Sequence, residues 1–221
     1  MKSLQSEAYK GYTINVYQDE CDCNPRTEWD NFGHMVCFHK QYNLGDKTSL
    51  TSDMFNSWGE LEKYLYEEEQ AAIVITLYMI DHSGISIRAG RDFSDCDPGS
   101  WDSGAIGFIY CSKEDIRKDW NIKHVTKTYL EMARDILFSE VKTYNDYLTG
   151  NVYGYVVTDR EGEEIDSCWG YFGDPEKSGL LESARAAIDY HIQDCRKKHF
   201  EQVKTWIRNS VPLEKRSPLV C

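Results

Sequence analysis

Three short stretches share one arrangement. In TEWDNFGHM (27–35), YMIDHSG (78–84) and SWDSGAIGF (100–108), an aspartate follows an aromatic or apolar residue, and a glycine comes two or three positions later. Each stretch adjoins a segment of strand character. If those strands are neighbours, carboxylates from separate strand ends can converge. Clustered carboxylates repel one another unless a cation sits among them or some are protonated. Their hard oxygen donors suit magnesium, manganese or calcium, and paired ions at such a site support phosphoester hydrolysis. The ligand set this predicts is Asp30, Asp81, His82 and Asp102.

Two other readings use the same residues. Asp with a nearby Gly is ordinary turn chemistry, because the carboxylate bonds local N–H groups and Gly accepts positive φ. The flanking tryptophan is then a core anchor. Alternatively, the carboxylates form a recognition surface. Its candidates are Asp19, Glu20, Asp22, Glu28 and Asp30 in the loop DECDCNPRTEWDN (19–31), and Asp95, Asp97 and Asp102 in the loop GRDFSDCDPGSWDSG (90–104).

Other chemistry has less to rest on. The CDC of Cys21 and Cys23 with Cys37 and His39 matches no common zinc spacing. No G-x-S-x-G elbow, G-x-G-x-x-G turn or P-loop occurs, so no catalytic nucleophile or nucleotide cofactor is assigned. No cofactor is expected beyond the alternative magnesium or manganese.

The charge narrows the partners. The 221 residues carry a formal net charge of −12. Residues 1–178 hold 32 acidic against 17 basic groups, whereas 179–221 hold 5 against 8. An acidic body repels a phosphate backbone, so direct binding to duplex DNA is not expected. A basic protein or ribonucleoprotein surface is the complementary partner. No run of some 18 apolar residues or apolar leader occurs, so the expected location is the cytoplasm and no membrane partner is expected.

The elements that must position these residues follow from periodicity. GYTINVYQ (11–18), HMVCFHK (34–40), AIVITLYMI (72–80), ISIRA (85–89) and AIGFIYC (105–111) read as strands. Gly107 marks a bulge or a close approach. Helices are predicted at 57–71, capped by Ser57, at 112–120, capped by Ser112, and at 125–149. Residues 151–173 form a hairpin. Residues 179–208 form a last helix with Leu180, Ala184, Ile188, Ile192, Cys195, Val203 and Trp206 inward. The predicted fold is α+β, a mostly antiparallel sheet with helices packed on one face. It is expected as one domain over 1–210, with a sheet-rich part at 10–111, a helix-hairpin-helix part at 112–208 and a loose tail at 211–221.

At EWDNFGHMVCFHKQYNLGD, LYMIDHSGISI, WDSGAIGFIY and YNDYLTGNVYGYVVTDREGEEIDSCWGYFG the chain resembles an uncharacterised family of phage and mobile-element accessory proteins. The resemblance covers roughly residues 10–190. It implies no active-site role for any residue. It implies a setting in which small acidic proteins block host defence by offering carboxylates where a nuclease or surveillance complex expects phosphates. The expectation is therefore an inhibitor of anti-CRISPR or antirestriction type, acting through an acidic face. The alternative is a divalent-metal-dependent phosphoesterase or nuclease.

Overall fold

The computed structural model describes residues 3–20 and 22–212. The fold is α+β, with antiparallel sheets and long helices packed against them. The chain divides into two compact units. One is formed by the residues up to Asp19 and from Tyr153 onward, the other by Glu20–Val152. The boundaries thus fall at 19/20 and 152/153 rather than at 111/112. Residues 213–221, most of the expected tail, lie outside the described residues.

In the second unit the sheet order is β3 (His34–Cys37), β6 (Ser103–Ser112), β4 (Ala71–Asp81), β5 (Ile85–Ala89), antiparallel throughout. The nearly all-apolar β4 is central because both its faces are covered. Ile73, Ile75, Leu77 and Met79 pack with Ala133, Leu137, Val141 and Tyr144 of α4 (Lys127–Leu148). Val36, Phe108 and Tyr110 pack on the other face with Leu61 and Leu65 of α2 (Trp58–Glu67). The caps lie where side-chain chemistry places them. Ser57 accepts the N–H of Glu60. Ser112 and Asp115 form a reciprocal capping box at the start of α3 (Lys113–Asp119).

Gly107 combines both expected features. Leu77 pairs with Gly107 and Tyr78 with Ala105, so Ile106 is an extra residue. That bulge reverses side-chain parity. Ile106 therefore shares a face with Ile109 and Cys111, while Phe108 and Tyr110 point to α2. A Cβ on Gly107 would lie 1.9 Å from the carbonyl oxygen of Val36.

The first unit has the sheet β1 (Gln5–Tyr9), β2 (Tyr12–Gln18), β7 (Val152–Thr158), β8 (Glu164–Phe172). Ile14, Val16, Tyr155 and Val157 pack against Leu180, Leu181, Ala184 and Ile188 of α5 (Leu180–Ser210). Sequence periodicity misses β1, since QSEAY has no β-branched residue. It is held through β2 and by Glu7, whose carboxylate accepts from Arg185 at 2.9 and 2.8 Å. The inward assignment on α5 fails beyond Ile192. Cys195 is exposed, and Val203 and Trp206 are 37% and 63% exposed, because the helix outruns the sheet it covers.

Candidate functional site

The antiparallel order decides where the carboxylates go. β3 begins opposite the end of β6, with His34 paired to Tyr110. The first acidic loop therefore lies at one end of the sheet. The second leads into Ser103, the start of β6, at the other end. Ten residues of strand separate the two ends, about 30 Å. The strands do neighbour one another, yet their acidic loops do not meet.

This corrects the metal reading. Asp30 is remote from the other three residues of its predicted set. Asp81, His82 and Asp102 share the second end, where the Asp81 N–H donates to the Asp102 carbonyl at 2.9 Å. Their side chains part, however. Asp81 accepts from the Tyr42 hydroxyl at 2.9 Å, and His82 Nδ1 lies 3.0 Å from Asp102 Oδ2 on the surface. Among the described residues no group of three or more His, Cys, Asp or Glu is placed to hold a metal ion. The support for a magnesium- or manganese-dependent enzyme falls with that set. Cys21 lies outside the described residues.

The remaining carboxylates divide by loop. In the second loop they are engaged locally. Asp97 accepts from the N–H groups of Trp101 and Asp102 and from the Ser103 hydroxyl, and the Ser103 bond leads in holding its carboxyl below the ordinary range. Asp95 pairs with Arg88 at 2.7 Å and with Arg91 at 3.6 Å, and Arg88 lowers its pKa. This is turn chemistry, but the tryptophans are not core anchors, with Trp101 89% exposed and Trp29 45%. Asp19 accepts the Gly170 N–H at 3.0 Å. Glu20, Asp22, Glu28 and Asp30 are exposed.

The first loop is ordered by a residue that sequence reasoning passed over. Asn24 caps α1 (Pro25–Glu28), accepting the Arg26 N–H at 2.9 Å. The Arg26 side chain is 1% exposed. It donates to Asp46 from Nε and Nη2, to Glu140 of α4 from Nη1, and to the Gly33 carbonyl. Asp46 and Glu140 in turn accept N–H groups of Met35, Phe32 and Gly33. A buried charge is tolerated only when paired and hydrogen-bonded in this way. The local signal was an arginine beside a capped proline, but its two acidic partners lie 20 and 114 positions away.

The thiols offer no nucleophile in the interior. Burial pushes Cys37 up to about 12, with Asp46 adding and Arg26 opposing. Burial does the same to Cys111, with Asp115 and Glu140 adding. A thiol so shifted is not a thiolate at neutral pH.

One concave feature of the second unit is a groove of about 690 Å³ between the end of β3, the segment 42–56 and the start of α2. Its wall is a run of rings. Phe38 stacks on Phe55 and on Trp58, with centroids 6.4 and 6.1 Å apart, and Trp58 meets Phe108 edge-on. At the opposite rim His39 stacks on Tyr42 at 5.0 Å. The His39 Nδ1 accepts two backbone N–H groups, which places its proton on Nε2. Lys40, Asn43, Ser52 and Asn56 supply polar groups among the rings. This is the size and composition of a ligand or side-chain pocket. Trp58 keeps 36% of its surface exposed.

The first turn of α2, beside the groove, exposes Glu60 and Glu62, while Glu67, Glu68 and Glu69 are exposed at the far end of the helix. Glu60 accepts the N–H and the side-chain amide of Asn56, which lower its pKa. The second unit as a whole carries 23 acidic against 13 basic residues. The helix at 57–71 does not by itself reveal the pocket, because Phe38 and Phe55 reach it from two other segments. No family model, no curated protein and no solved structure matches this chain.

Proposed function

We infer that the chain is an interaction protein whose second unit binds a basic partner. One aromatic or aliphatic side chain of that partner enters the groove, and its Lys and Arg side chains meet the carboxylates of α2. The observation that carries this is an open, ring-lined groove with Glu60 and Glu62 exposed on the adjoining first turn of α2, in a unit of acidic balance. Rings without charge would suit any apolar ligand, and glutamates without a groove would suit plain solubility. Together they provide an apolar anchor point and long-range steering toward positive charge. Glu20, Asp22, Glu28 and Asp30 extend the acidic surface, while Asp95 and Asp97 are engaged within their own loop.

The resemblance to phage and mobile-element accessory proteins suggests the setting. The partner is then a basic host protein or ribonucleoprotein that targets nucleic acid, and occupying its cationic groove inhibits it. The test is a nuclease assay with purified restriction and RNA-guided effectors, run with and without the chain at low and high salt. Inhibition that weakens steeply with salt, and is lost in Trp58→Ala and in Glu62→Lys, is the expected result. Unimpaired cleavage by every effector, or salt-insensitive binding, overturns the reading.

A further inference from the structure

The last helix carries more apolar surface than its own unit uses. α5 has 31 residues, about 46 Å of helix. Its buried residues Leu180, Leu181, Ala184 and Ile188 all lie in the first nine positions, and Ile192 is half-buried. The same face continues through Cys195, His199, Val203 and Trp206 at steps of three and four, and Trp206 lies five full turns from Ile188. These side chains face solvent, and so does Phe200, at 54% exposed. Arg196 and Lys198 stand about 80° to either side of the Trp206 direction. Residues 195–210 hold five Lys and Arg against one Glu, while residues 1–194 hold 35 acidic against 18 basic groups.

An apolar stripe flanked by cations needs an apolar surface flanked by anions. Two arms would repel each other, and an anionic lipid surface would repel the rest of the chain. The surface with matching chemistry is the ring-lined groove beside the α2 glutamates. The geometry points to exchange between copies: the arm 195–210 of one chain seats in the groove of a second, with Trp206 as the anchor and Arg196 toward Glu60 and Glu62, while Lys198 stays paired with Asp194 at 2.7 Å. This rests on the groove being a receptor for basic, aromatic-bearing segments. It adds that the chain's own arm is such a segment, so self-association and partner binding exclude each other. Each copy has one arm and one groove, so the contact joins two different surfaces of the same chain.

Sedimentation equilibrium of the full chain tests this. The expected result is concentration-dependent self-association that reverses as salt rises. Two variants separate the surfaces. Val203→Ser/Trp206→Ser alters only exposed positions of the arm, and Trp58→Ala opens the groove while also removing an edge-on contact with Phe108, so its fold is checked by circular dichroism and thermal melting. Each alone should be monomeric with an unchanged circular dichroism spectrum, and their mixture should associate again, since one supplies an intact arm and the other an intact groove. A wild-type chain that stays monomeric at low salt overturns the exchange and leaves the effector assay free to support the groove. Self-association that survives Trp58→Ala, or monomeric variants whose mixture stays monomeric, overturns the assignment of the groove as the arm's seat.

Discussion

Arg26 and Asp46 meet at two points, Nε to Oδ1 at 2.8 Å and Nη2 to Oδ2 at 2.7 Å, and this fork ties the first acidic loop to the segment that leads into the groove. Glu140 completes the site from α4. Removing the guanidinium leaves two carboxylates, 26% and 15% exposed, without their cation. Arg26→Leu should cost about 3–5 kcal/mol, the usual consequence of breaking a buried pair. Arg26→Lys should recover only part, because an ammonium cannot make the fork. Urea titrations of the three proteins check both statements.

The carbonyl of Val36 approaches Gly107 so closely that no side chain fits. Gly107→Ala must push β3 away from β6 or undo the bulge. Either change disturbs both faces of the sheet, since the bulge sets which residues meet α2 and which meet α4. The expected loss is about 1–3 kcal/mol or more, with early hydrogen exchange at Val36 and Phe38. Phe38 matters here because its N–H donates to the Ile106 carbonyl at 2.7 Å.

Asp146 sits in the last turn of α4, 9% exposed. Burial pushes its carboxyl above the ordinary value of 3.8, with Lys142 and a hydrogen bond from Asn151 opposing. The folded chain therefore holds this proton more tightly than the unfolded chain does. The group's favourable contribution is complete below the ordinary value and is lost as pH rises through the folded one. A carboxylate near a helix C-terminus also opposes the helix dipole. Asp146→Asn should raise the melting temperature at neutral pH, and its advantage should shrink to nothing below about pH 4. Thermal melts across pH check the sign.

Cysteine reactivity should sort by burial. Cys96, Cys168 and Cys195 are exposed, whereas Cys111 is buried. At a pKa of about 12 against an ordinary 9.0, Cys37 and Cys111 hold about a thousandfold less thiolate at a given pH. Iodoacetamide at neutral pH, read by mass spectrometry, should label Cys96, Cys168 and Cys195 well before Cys37 and Cys111. Cys37 and Cys111 should follow only on unfolding.

By itself the sequence determined what depends on neighbours along the chain. Ser57 and Ser112 cap helices because a hydroxyl reaches an N–H three residues on. β4 is central because its run is apolar on both faces, and the hairpin of β7 and β8 follows from a turn between two β-rich segments. The α+β class follows from that order. Tertiary structure decided everything that depends on direction and reach. The three Asp-bearing stretches look equivalent in sequence, but antiparallel pairing sends Asp30 to one end of the sheet and Asp81 and Asp102 to the other. Phe38, Phe55 and Trp58 become one groove only because the residue after β3, a loop and α2 fold together. Trp206 continues the stripe of Ile188 and Ile192 without a break, yet it is exposed because the sheet ends before the helix does. Periodicity records which face of a helix is apolar. It does not record how far the surface beneath it extends.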